Sequence, residues 1–155
     1  MKKKKIQNIV ILSIAILIIG SIISYNYSTD ITKQKGLQFG NELSQIENEL
    51  SDIQEQFYSE KTKWSEGDIS KIKLLKAYEI HVDNFREIIL RYDELTPPEL
   101  FKSSVMLLKI SAETQLESDL QFIEWIKTGD ESAKIRSDAL IQESYEYQNL
   151  GLVEF

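Results

Sequence analysis

The sequence predicts an all-α protein: a single N-terminal transmembrane helix followed by an antiparallel bundle of three long helices and a shorter fourth. Three observations carry that expectation. A nearly unbroken apolar run, Ile6 to Ile23, follows directly on Lys2-Lys3-Lys4-Lys5. Beyond it, apolar residues recur at spacings of three and four, with no alternating strand pattern. Turn and cap signals separate these stretches near residues 65–68, 95–100 and 129–130.

Twelve of the 18 residues from Ile6 to Ile23 are Ile, Leu or Val. At roughly −0.3 to −0.6 kcal/mol each on an insertion scale, they favour the membrane by about 4–7 kcal/mol. Gln7 and Asn8 lie at the edge, where their penalty is small. Continued as a helix to Tyr27, the segment is about 33 Å long, enough for a hydrocarbon core of roughly 30 Å. Tyr25 and Tyr27 then fall where an aromatic belt belongs. The four lysines orient the chain, so residues 1–5 form a cytoplasmic basic tail, 6–27 the anchor, and the bulk lies on the extracytoplasmic side of the cell membrane. A cleaved signal peptide is the competing interpretation. Ser21-Ile22-Ile23 and Ser24-Tyr25-Asn26 both place a large residue where cleavage needs a small one, which favours a retained signal-anchor. The sequon Asn26-Tyr27-Ser28 lies too close to the bilayer to be expected to carry a glycan.

Residues 28–40 are either a juxtamembrane hinge or a continuation of the membrane helix, with Gly36 and Gly40 weakening continuity. The extracytoplasmic bundle is expected over 31–155. Its first helix, 31–64, carries a heptad of Phe39, Leu43, Ile46, Leu50, Ile53, Phe57 and Trp64, flanked by Glu, Gln and Lys. Such a seam serves a coiled-coil homodimer or an intramolecular bundle equally well. Three further amphipathic helices favour the bundle.

Ser65-Glu66-Gly67-Asp68 marks the first turn, with Ser65 or Asp68 available as a cap. The second helix, 69–94, presents Leu75, Tyr78, Val82, Phe85, Ile89 and Tyr92. Lys71, Lys73 and Lys76 crowd its N-terminal turns, the wrong sign for the helix dipole. In Leu95-Thr96-Pro97-Pro98-Glu99-Leu100, Thr96 is the expected N-cap, Pro97 the first helical residue, Glu99 the partner in a capping box, and Leu95 with Leu100 a hydrophobic staple. The third helix runs from Pro97 to about Thr128, where Gly129 ends it and Asp130 caps the fourth. The fourth, 131–149, shows no narrow apolar stripe and is expected to end at the Gly151 region. Short connections imply antiparallel neighbours, with the 65–68 turn and Gly129 at one end and Thr96 and the C-terminus at the other.

Composition narrows the chemistry. Residues 30–155 carry all 25 acidic residues and 14 of the 18 basic ones, a net charge of −11. That field repels nucleic acid and anionic lipid. With no cysteine, disulfides, thiolate zinc sites, iron–sulfur clusters and lipoprotein acylation are all excluded. His81 is the only histidine and is expected to be a boundary side chain with one partner rather than a metal ligand. Glu79, Asp83 and Glu87 share one helical face, as do Glu113 and Glu117; both sets are expected to be solvated. Ser104, Ser111, Gln115 and Asp119 interrupt the apolar side of the third helix, marking either a small polar pocket or a turn toward solvent. No nucleophile elbow or phosphate-cradling glycine loop occurs, so no catalytic residue, metal or cofactor is expected, and the protein is not expected to be an enzyme.

The function expected is a membrane-anchored binding or scaffold module that contacts an envelope protein. Self-association through the heptad and a small-ligand sensor acting through a partner are the alternatives. The candidate contact surface is the heptad, Phe39 to Trp64, together with Trp125 at the same end of the bundle.

Overall fold

Amphipathic spacing becomes four α-helices in the computed structural model, which describes the chain from Asp30 to Val153. The basic tail, the apolar run, its tyrosine belt and the sequon lie outside the described residues. Among the described residues, no helix is long and apolar enough to cross a membrane, and no strand occurs. The helices are α1 (Asp30–Ser65), α2 (Lys71–Glu94), α3 (Lys102–Thr128) and α4 (Glu131–Val153), with a 3-10 turn at Glu99–Phe101 before α3.

α1 runs unbroken from Asp30 through both Gly36 and Gly40. The described part of the 28–40 segment is therefore continuous helix rather than hinge. The buried heptad beyond it outweighs the roughly 1 kcal/mol each glycine costs a helix.

The first turn closes on Gly67 at φ 84°, a left-handed conformation that an L side chain rarely adopts. The cap of α2 is Ser70, not Ser65 or Asp68: its side chain accepts from the Lys73 amide at 3.3 Å. Lys71 turns from its own helix to a neighbour. Its Nζ donates to the carbonyl of Lys127, 3.2 Å away at the C-terminal end of α3, where the antiparallel dipole favours a cation.

The Thr96-Pro97-Pro98 start also differs from expectation. α3 begins at Lys102, after the 3-10 turn, and no side chain caps either element. A residue preceding proline is driven away from the α region, and here both Thr96 and Pro97 precede one. Pro98 itself is extended at ψ 150°, so helical geometry cannot begin before Glu99. The staple fails with it, because Leu100 is 67% exposed. The residue that plugs this end is Phe101, fully buried and stacked on Phe39 with ring centroids 6.1 Å apart.

At the opposite end Gly129 has φ 77° and returns its amide to the Trp125 carbonyl, as a helix terminator does. Asp130 then caps α4, accepting from the Ser132 amide at 2.9 Å and the Ser132 hydroxyl at 2.8 Å. α4 is the shortest of the four at 23 residues, one fewer than α2, and runs to Val153 rather than ending near 149. It passes straight through Gly151, which is buried inside the helix rather than ending it. Trp64 against Trp125 at one end, and Phe39 against Phe101 at the other, set α1 and α3 parallel, as an up-down-up-down order requires.

The core has two unlike parts. Between α1, α2 and α3 it is built of large side chains, with Leu43, Ile46, Leu74, Tyr78, Phe85 and Phe101 almost wholly excluded from solvent. Phe57 stacks on Tyr78 at 4.3 Å and meets Phe122 edge-on at 5.8 Å. Between α3 and α4 the contact is made by small residues. Ser104, Ser111 and Ser118, each seven apart, face Gly151, Ser144 and Ser137, also seven apart. Each of the two serine pairs shares one pattern: the α3 hydroxyl donates to the α4 carbonyl at 2.8 Å, with the hydroxyls 3.3 and 3.2 Å apart. A Cβ at Gly151 would stand 3.1 Å from the Ser104 carbonyl oxygen, so at the third rung of this ladder any side chain would press α4 away from α3 by a few tenths of an ångström. The Ser104 hydroxyl, opposite a residue with no side chain, is buried without a partner.

Candidate functional site

Close docking of α4 on α3 leaves α4 away from α1, and the two do not pack closely. Between them lies a cleft of about 680 Å³, within the range of small-molecule sites. Leu108, Ser111, Ala112 and Gln115 of α3 form its floor. One wall is α1, from Glu47 through Leu50 and Gln54 to Thr62; the other is α4, with Asp138, Ile141, Tyr145 and Gln148. Tyr92 of α2 reaches the Glu47 end. Tyr58 and Tyr145 are hydrogen-bonded to each other across the cleft.

Two buried polar clusters back the α1 wall. In the first, the Tyr92 hydroxyl donates to Glu47 Oε1. Glu47 is only 6% exposed, and burial raises its carboxyl pKa to about 7, a shift that the Tyr92 hydrogen bond partly offsets. The same burial, reinforced by the neighbouring Glu47, raises the Tyr92 phenol well above its ordinary range. In the second cluster, Asp119 Oδ2 accepts from Gln54 Nε2 at 2.7 Å and contacts His81 Nε2 at 2.9 Å. Burial pushes the Asp119 carboxyl up, against the opposing pull of His81, Gln54 and Lys61. Gln54 is 7% exposed, and its Oε1 has no donor. Because its amide nitrogen faces a carboxylate, the amide cannot flip without setting oxygen against oxygen.

His81 does have one partner, but it is not at the boundary: it is buried, with its ring 4.7 Å from Phe57 and 5.5 Å from Phe85. Its Nδ1 has no partner. No serine hydroxyl is bonded to it, so the His81–Asp119 pair activates no nucleophile. Among the described residues, no three His, Asp or Glu side chains gather as a metal site.

The four interrupting residues of the third helix separate into three roles. Ser104 and Ser111 belong to the seam with α4, Asp119 to the core cluster, and Gln115 to the cleft floor. Glu79, Asp83, Glu87, Glu113 and Glu117 are exposed. The proposed contact heptad is spent internally: Phe39, Leu43, Ile46, Leu50 and Phe57 are buried and Ile53 half-buried against the same core. A dimer through that seam would have to open the bundle. Trp64 and Trp125 are half-buried and meet edge-on at 6.2 Å, with Trp125 Nε1 donating to Glu131 at 3.1 Å.

Sequence reasoning did not find Glu47 and Gln54, because both sit among the polar flanks of the α1 heptad. Their heptad offset from each other, seven residues on one helix face, was the available signal.

No protein-family model, curated protein or solved structure matches the chain.

Proposed function

We propose that this protein is a binding module held at the extracytoplasmic face of a membrane by Ile6–Tyr27, and that its working site is the cleft between α1 and α4. The observation carrying the second half is the cleft itself. A four-helix bundle normally closes its first and last helices on each other, whereas here a cleft separates them, bridged by Tyr58 and Tyr145, floored by Leu108 and Ala112 with Ser111 and Gln115, and bordered by buried polar groups. The first half rests on the apolar run and its four lysines. Catalysis has no support in the residues lining the cleft, which offer neither an activated nucleophile nor a metal set. The large-residue seam of α1 supplies stability, and this favours ligand capture over self-association.

Native mass spectrometry of the full chain released from detergent tests the proposal. A retained small molecule, lost when Gln142 on the α4 wall is replaced by Trp, is the expected result. A bare mass for the wild-type chain, under conditions that keep it folded, would contradict it.

A further inference from the structure

We propose that the cleft takes an elongated aliphatic diamine or polyamine, with one ammonium at Glu47 and a second N–H donor at Gln54. The inference rests on the cleft being the working site and adds the ligand's chemistry. Its first support is the acceptor set. Glu47 places a buried carboxylate at one end of the cleft. Gln54, more than nine-tenths buried, lines the same wall, and its Oε1 lacks a donor. Its orientation is locked by the 2.7 Å bond from Nε2 to Asp119, so the acceptor left is Oε1, buried within the wall, which a donor reaches by a small movement of that wall.

The second support is spacing. Seven residues of α-helix separate Glu47 from Gln54, roughly 10 Å along the axis. Leu50 lies between them, with Leu108 and Ala112 opposite on the floor. Two donors joined by a hydrocarbon chain match an acceptor–carbon–acceptor wall. An ammonium would supply the counter-charge that lets the buried Glu47 carboxyl ionise, which a neutral amphiphile would not, and an anion would oppose it.

The third support is charge. The cations near the other end of the cleft are already engaged: Lys63 pairs with Glu60 at 2.5 Å, and the Lys61 ammonium sits 4.0 Å from the centre of the Phe122 ring. Glu55 lies on the rim, as does Asp138, which pairs with Lys134 at 3.4 Å, and the exported segment as a whole carries a net charge of −11. Approach of a cation is therefore favoured from outside as well as at the site.

Calorimetric titration of the full chain in detergent micelles with 1,8-diaminooctane, n-octylamine and 1-octanol tests this. The diamine is expected to bind saturably, octylamine about tenfold more weakly, and octanol without saturation. Glu47→Gln, which keeps an acceptor for Tyr92, should weaken both amines at least tenfold. Should that variant fail to fold, Gln142→Trp, which substitutes an exposed residue of the α4 wall, should abolish diamine binding. Glu79→Gln, on an exposed face of α2, should leave it unchanged. No saturable diamine binding to the wild-type chain, equal binding by octanol, or unchanged binding to folded Glu47→Gln would each overturn the proposal. If native mass spectrometry still finds a retained molecule while the amines do not bind, the amine class falls and the cleft as working site stands. If neither is seen, both fall.

Discussion

The two seams of α3 follow the same seven-residue repeat with opposite materials. Toward α1 and α2 it presents Val105, Phe122 and Ile126, with Phe101 just before its start, and these interlock with large side chains. Toward α4 it presents Ser104, Ser111 and Ser118, which let the partner backbone come close enough for hydroxyl-to-carbonyl bonds. The large-residue seam derives its strength from apolar area removed from water. The small-residue seam buries little apolar surface per residue and relies on close contact and satisfied hydroxyls. The difference also shapes the cleft: a helix held tightly to one neighbour by small residues stands off from the other, and Tyr145 bridges the gap to Tyr58. The candidate site is thus a consequence of how α4 is attached.

That comparison can be broken from either side. The largest effect is expected in the large-residue seam. Phe85→Ala or Leu43→Ala should destabilise the fold by about 2–5 kcal/mol in chemical denaturation, since each removes a side chain with no solvent exposure. A loss below about 1 kcal/mol would show that the seam is loosely packed.

Next comes the pH response of the α1 wall. Glu47 has a folded pKa near 7 against an ordinary 4.5, so the folded state holds its proton more tightly than the unfolded chain. Its stabilising contribution is full below pH 4.5 and is lost as pH rises through 7. The difference is on the order of 3 kcal/mol. Asp119, also raised by burial, acts in the same direction. Denaturation midpoints should fall between pH 5 and 8, and Glu47→Gln should flatten the slope. A midpoint that rises with pH through that window would contradict the assignment.

In the small-residue seam, Gly151→Ala should cost about 1–3 kcal/mol even though alanine is the better helix former, because its Cβ meets the Ser104 carbonyl and Leu108. A stabilised Gly151→Ala protein would mean that α4 stands off from α3. The smallest effect belongs to the surface: Asp93→Asn breaks the exposed pair with Lys109 and should change stability by less than about 1 kcal/mol.

The parts of this fold that are legible in the sequence are those written in large apolar residues. The heptad from Phe39 to Phe57 marks α1 and its buried face, and Gly129-Asp130 marks the sharp junction of α3 and α4. α4 was hard to place because its buried face is Ala133, Ser137, Ser144 and Gly151, residues that carry almost no hydrophobic signal, while Ile135 points outward. Serine at 104, 111 and 118 suggests solvent or a pocket when polarity alone is considered. Matched against 137, 144 and 151, the same spacing specifies a close antiparallel contact. The capping signature at Thr96-Pro97 places the start of α3 too early, because Pro98 disfavours helical geometry at Pro97. The cleft is not legible in the sequence, since it arises from the distance at which α4 stands from α1.

Because the chain has no cysteine, paired cysteine substitutions give a direct test of that geometry. Ser111→Cys with Ser144→Cys replaces hydroxyls already 3.3 Å apart, and Ser51→Cys with Ile141→Cys places thiols on opposite walls of the cleft. Under mild oxidation of the folded full chain, the first pair should close to an intramolecular disulfide essentially completely, while the second stays reduced. Equal closure of both pairs, or failure of the Ser111–Ser144 pair to close, would contradict a tight seam beside an open cleft.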